Sequence, residues 1–193
     1  MRLVYPLELV SSSSRRTLMW ISGISALMVG ISLAFLGRML TTPAAPLGSV
    51  SLELAGQGFI ANSILGSWGM RGQLIAAFAL GLDFLFLASY STLLSVACVE
   101  AARKSGNIIL SGACKTFAWS LLIVALAAIC ENVLLFRVLS AGDLRWVPLI
   151  RLCAEIKYSL VIAAFCCIVA GWQISFLRRS VAKPNRAVRP YSA

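Results

Sequence analysis

Four runs of apolar residues, each of membrane-spanning length, recur along this chain and dictate what it can fold into. They occupy about residues 18–37, 74–99, 110–136 and 149–177. A helix of roughly 20 apolar residues matches the hydrocarbon thickness of a bilayer. Lipid offers no partner for backbone N–H and C=O groups, so such runs must satisfy them internally as helices. With 60% of 193 residues hydrophobic and only 12% charged, there is too little polar surface to clothe a water-soluble domain. The sequence therefore predicts an all-α fold, a four-helix transmembrane bundle with one amphipathic interfacial helix in its long outer loop. Residues 1–16 read as a polar leader, 17–178 as one four-span membrane domain, and 179–193 as a basic tail.

The first run competes with a signal peptide, since small residues follow it in "TTPAAP". Its twenty apolar residues exceed the roughly 7–15 of a cleaved segment, which favours an uncleaved helix. Along it, Ala26, Gly30 and Ala34 form a small-residue stripe that lets a neighbouring helix approach closely, within the monomer before any dimer. Pro43 and Pro46 then end the helical pattern and open the longest connection. Within that connection, Ile60, Ile64 and Trp68 recur at helical spacing, the pattern of a short helix lying along a bilayer surface.

Basic residues set the expected orientation. Apart from Lys157, eleven fall on the side of the termini and five (Arg38, Arg71, Arg137, Arg145, Arg151) on the other. That bias predicts cytoplasmic termini and a multi-pass protein of a bacterial inner (plasma) membrane. It also accounts for the formal charge of +10 through lipid headgroups, with no nucleic acid as partner. The bilayer is the expected partner, together with further copies of the chain or a larger membrane complex.

The chain contains no His, no phosphate-binding glycine loop and no C-x-x-C spacing. His-based triads and the usual zinc and haem sites are therefore excluded, and neither metal nor cofactor is expected. The six cysteines read as small packing residues. Cys130 and Cys153 alone leave pairing open, because both fall near the outer face.

Chemistry, if present, resides in charges placed where hydrocarbon is expected. Asp83 interrupts "LGLDFLFLASYS", Glu131 interrupts "AAICENVLLF", and Lys157 interrupts "LCAEIKYSLVIAAF". Counted along helices of alternating direction, all three reach a similar level in the outer half of the bilayer. Unpaired charges at such depth cost several kcal/mol, so they should turn inward and meet. The expected cluster places Asp83 and Glu131 around Lys157, with Asn132 and Tyr90 as donors; Tyr90 shares the Asp83 face seven positions on. Two roles are open for it: a clamp fixing helix register, or a site for an ion, proton or ligand. Glu53, in the outer loop, is expected to favour the start of the interfacial helix electrostatically. Folding over the cluster as a lid is its second reading. Glu155 is expected in solvent or against Arg151.

The combination "SLELAG", "LDFLFLASYS", "ENVLLFRVL" and "CAEIKYSL" resembles a family of small bacterial four-helix membrane proteins of uncharacterised function. The likeness extends over roughly residues 46–161. It implies that Glu53, Asp83, Glu131, Asn132 and Lys157 are the family's polar positions, and it implies no substrate or cofactor. Together these features predict a non-enzymatic structural or accessory membrane component. The alternative is a small oligomeric ion- or proton-coupled transporter or channel using Asp83, Glu131 and Lys157.

Overall fold

The computed structural model describes residues 10–105 and 108–181; residues 1–9 and 182–193, with most of the expected leader and tail, lie outside the described residues. The chain is helical: α1 (Ser12–Met39), α2 (Ser49–Glu53), α3 (Gly58–Ser105), α4 (Ile108–Ala141) and α5 (Val147–Val181), with a 3-10 turn at Leu144–Trp146. α1, α3, α4 and α5 are each long and apolar enough to cross a membrane.

Large apolar side chains point outward on all four: Trp20 and Ile24 on α1, Phe78 on α3, Leu126 on α4, Phe165 on α5. Many buried positions carry small residues instead, such as Ala97, Ala118 and Ala164. Among acyl chains, burying large apolar groups gains little, and close backbone approach is what holds helices together. Hydroxyls enter the apolar helices by bonding to carbonyls one turn back, as Ser22 does to Leu18, Ser89 to Leu85 and Thr92 to Ala88.

α1 begins before the expected apolar run because Ser11 caps it, its Oγ accepting the Ser14 N–H at 3.1 Å. One turn in, buried Arg15 pairs with Glu100 of α3 at 3.0 Å. Midway, the hydroxyls of Ser25 and Ser89 meet at 2.8 Å, and Gly30 lets the Phe86 ring come close. α1 thus lies along α3. α3, α4 and α5 pack mutually, whereas α1 makes no comparable packing against α4 or α5.

α3 is not one straight rod. Gly69 (φ 58°, ψ −172°) breaks it into a segment over 58–68 and the long helix that follows. This conformation is open almost only to glycine. The first segment does not stand apart in a loop. Its Ala61, Ile64, Leu65 and Trp68 are buried in a core shared with Leu135 and Val138 of α4 and Ile150 of α5. The Trp68 indole N–H also donates to the Leu40 carbonyl at 2.7 Å, satisfying the end of α1.

The bundle has a second apolar core nearer the termini, where Val99, Cys114, Leu121 and Ala164 meet. Between the two cores lies a polar level formed by Asp83, Glu131, Asn132 and Lys157. The distal connection that covers this level turns sharply at Gly48 (φ 61°), where a Cβ would collide with the Gly37 carbonyl oxygen. We expect Gly48→Ala to lower stability by about 2 kcal/mol or more, through backbone strain and that collision. A reduced thermal unfolding midpoint of the purified protein in detergent is the check.

Candidate functional site

The polar level is organised by one ammonium group. Lys157, on α5, sits one turn after Cys153 on the face turned toward α4. Its Nζ donates to Glu131 Oε1 at 2.9 Å and to Glu53 Oε2 at 3.1 Å. Glu131 is wholly buried, at 0% exposure, so Lys157 is the counter-charge that permits it to remain there. Its second oxygen, Oε2, also lies 2.8 Å from Nζ but outside hydrogen-bonding geometry. It shares the charge without sharing a proton.

Glu53 is the third partner, and its position corrects the expected helix-capping role. It closes the short helix α2, and its carboxylate reaches into the bundle rather than toward the start of the next helix. Oε2 accepts both the Lys157 ammonium and the Tyr158 hydroxyl, the latter at 2.7 Å. The reason is electrostatic: an ammonium facing the buried Glu131 carboxylate still has unfilled donors, and a nearby loop carboxylate gains more there than beside a helix end. The Tyr158 ring also lies 4.8 Å from the ammonium, within cation–π range.

Asp83 is held by one of its expected donors and not by the ammonium. Its Oδ2 accepts the Asn132 side-chain amide at 2.8 Å, and no Asp83 hydrogen bond to Lys157 is formed. Lys157 and Glu53 are nonetheless near enough for their charges to act on it. The structure therefore gathers Asp83, Glu131, Asn132, Lys157 and Glu53 at one level, arranged as two hydrogen-bonded groups. Tyr90 lies further along the same wall, tilted against Phe86 at 5.1 Å, and donates no hydrogen bond to these carboxylates among the described residues. Glu155 pairs with Arg151 at 2.7 Å on an exposed face. Cys130 and Cys153 are both free thiols.

Two features escaped sequence reasoning. Tyr158 adjoins Lys157 in sequence, and a tyrosine beside a buried lysine is the signal that could have flagged it. The Arg15–Glu100 pair lies near the other end of the bundle, and both residues looked like ordinary flanking charges.

Beside the charged level is a cavity of about 660 Å³. α1 contributes Leu33 and Ala34, α3 contributes Ala79 and Phe86, and α5 contributes Val161; the polar floor is formed by Asp83, Glu53, Lys157 and Tyr158. α1 packs on α3 and makes no comparable packing against α5, and residues of both α1 and α5 line the cavity. Its volume falls within the roughly 300–1,000 Å³ usual for small-molecule sites. No protein-family model, curated protein or solved structure matches this chain.

Removing one member of the buried pair should be far worse than removing both. Lys157→Met leaves Glu131 uncompensated and should cost about 3–5 kcal/mol. The Lys157→Met/Glu131→Met double variant should recover most of that loss. Unfolding of the detergent-solubilised protein by added SDS would measure both.

Proposed function

We propose that this chain is a non-enzymatic integral membrane protein, an accessory component that receives one amphiphilic molecule in the cavity between its first and last spans. The proposal includes the bacterial inner membrane as its location and cytoplasmic termini, which put the charged level in the outer half of the bilayer. The segment over 58–68 then lies near the outer headgroups, with Trp68 buried against the bundle. The likeness to a family of small bacterial four-helix membrane proteins belongs to the same reading.

The observation that carries the proposal is the cavity itself. It is apolar along most of its walls, polar at one level, and lined by α1 and α5, which make no extensive packing with each other. An amphiphile entering from lipid keeps its apolar part in apolar surroundings and presents its polar end to the carboxylates and Tyr158. The Glu53–Lys157 pair, which draws α2 against α5, serves as the fastening of the cover rather than as reacting groups. The cavity walls continue past the charged level to Leu93 and Leu94, and this extension favours transport as the second reading.

Native mass spectrometry with a neutral monoacylglycerol as probe tests the binding role. Wild-type protein should retain one molecule per chain. Val161→Trp, which fills the cavity, should reduce occupancy about tenfold. Ile162→Trp is the control, because Ile162 faces outward at 62% exposure and should leave occupancy unchanged. Equal retention by both variants would place the amphiphile on the outer surface and overturn the proposal.

A further inference from the structure

We infer that the cavity between α1, α3 and α5 is selective for a lipophilic organic cation, such as a protonated amine or quaternary ion carrying bulky apolar groups. This deepens the binding role proposed above and rests on it. Its first support is a charge count at one level of the bundle. Three carboxylates, Asp83, Glu53 and Glu131, are grouped with a single ammonium, Lys157. Arg38 also lines the cavity, but at the rim with its side chain exposed. With Arg38 counted, the level holds three carboxyl groups against two cations, and two of those carboxyl groups, Asp83 and Glu53, line the cavity. Excess charge of one sign is costly in low-dielectric surroundings, so an occupant with the opposite sign gains most.

The second support is where the excess resides. Lys157 is already engaged by Glu131 and Glu53, and the Glu131 carboxylate is sealed from the cavity by its own burial. Asp83 differs. It is only partly buried, it lines the cavity, and among the described residues its one hydrogen bond is from the neutral Asn132 amide through Oδ2. The Asp83 carboxylate is thus held in place by a partner that does not neutralise it. A cation in the cavity would meet a carboxylate already held in position by Asn132.

Aromatic walls provide the third support. Phe86, Tyr90, Tyr158 and Trp68 all line the cavity. Ring faces attract cations and repel anions, most strongly where the contact is desolvated. The remaining walls, including Leu33, Ala79 and Val161, require an apolar body on the same molecule. A phospholipid phosphate would add negative charge to a negative site, and a small inorganic cation would leave the apolar walls unfilled.

The test uses full-length protein in detergent with two ions of the same shape and opposite charge, tetraphenylphosphonium and tetraphenylborate. Equilibrium binding at mildly alkaline pH should show saturable tetraphenylphosphonium binding, one per chain, at least about tenfold tighter than tetraphenylborate. Asp83→Asn can keep its hydrogen bond to Asn132, so it should unfold at a similar temperature while binding the cation about tenfold more weakly. Equal binding of the two ions, or cation binding unaffected by Asp83→Asn, would overturn the inference. The wild-type comparison decides the matter by itself if the variant does not fold. Retention of the neutral monoacylglycerol without preference for the cation would overturn this inference and leave the binding role intact. Retention of neither probe would overturn both.

Discussion

A single ammonium group deep in an apolar bundle is the constraint on which the rest of this structure depends. Lys157 must have counter-charges, and Glu131 on the neighbouring helix is fully buried against it. Neither residue is tolerable there alone. Their contact fixes the axial register of α4 against α5, because sliding either helix by one turn would separate the charges. The two apolar cores, one shared with the distal segments and one nearer the termini, are consequently divided by a level whose geometry is set by ions.

The same ammonium extends its influence to the distal connection. Glu53 reaches it from α2, and Tyr158 reinforces the contact with a second hydrogen bond to the same oxygen. Backbone features prepare this arrangement. Pro43 and Pro46 end the α1 pattern, Gly48 permits the close turn past the end of α1, and the Trp68 indole secures the Leu40 carbonyl. The connection is therefore a packed cover attached at an ionic point, and the cavity beneath it is retained because α1 is fastened to α3 and not to α5.

Much of this was legible in the sequence, and for identifiable reasons. Apolar runs of fixed length predict spanning helices, and counting from their ends put Asp83, Glu131 and Lys157 at one level, because helical rise is nearly constant. What counting along helices cannot provide is the course of a connection. Glu53 lies 104 positions before Lys157, and nothing periodic links them. Depth gives the level of a side chain but not its azimuth, so counting could not say that Asp83 would bond to Asn132, one of the expected donors, and meet Lys157 only through its charge. The apolar stripe of Ile60, Ile64 and Trp68 predicts a helix on a lipid surface. The same stripe also fits a helix buried on its own bundle, and only tertiary contacts distinguish them.

The fastenings of α1 clarify how the cavity relates to the ionic centre. At one end Arg15 pairs with Glu100, and midway Ser25 meets Ser89, so α1 is tied to α3 over much of its length. Beyond Met39 the chain continues into the connection, and there Glu53 joins it to α5. The route from α1 to α5 thus runs through α2 and a carboxylate, not through direct helix packing. Glu53 lies at the floor of the cavity as well as at this joint. Any positive charge entering beside Asp83 also approaches Glu53 and competes with Lys157 for it, so occupancy of the cavity and attachment of the cover draw on the same carboxylate.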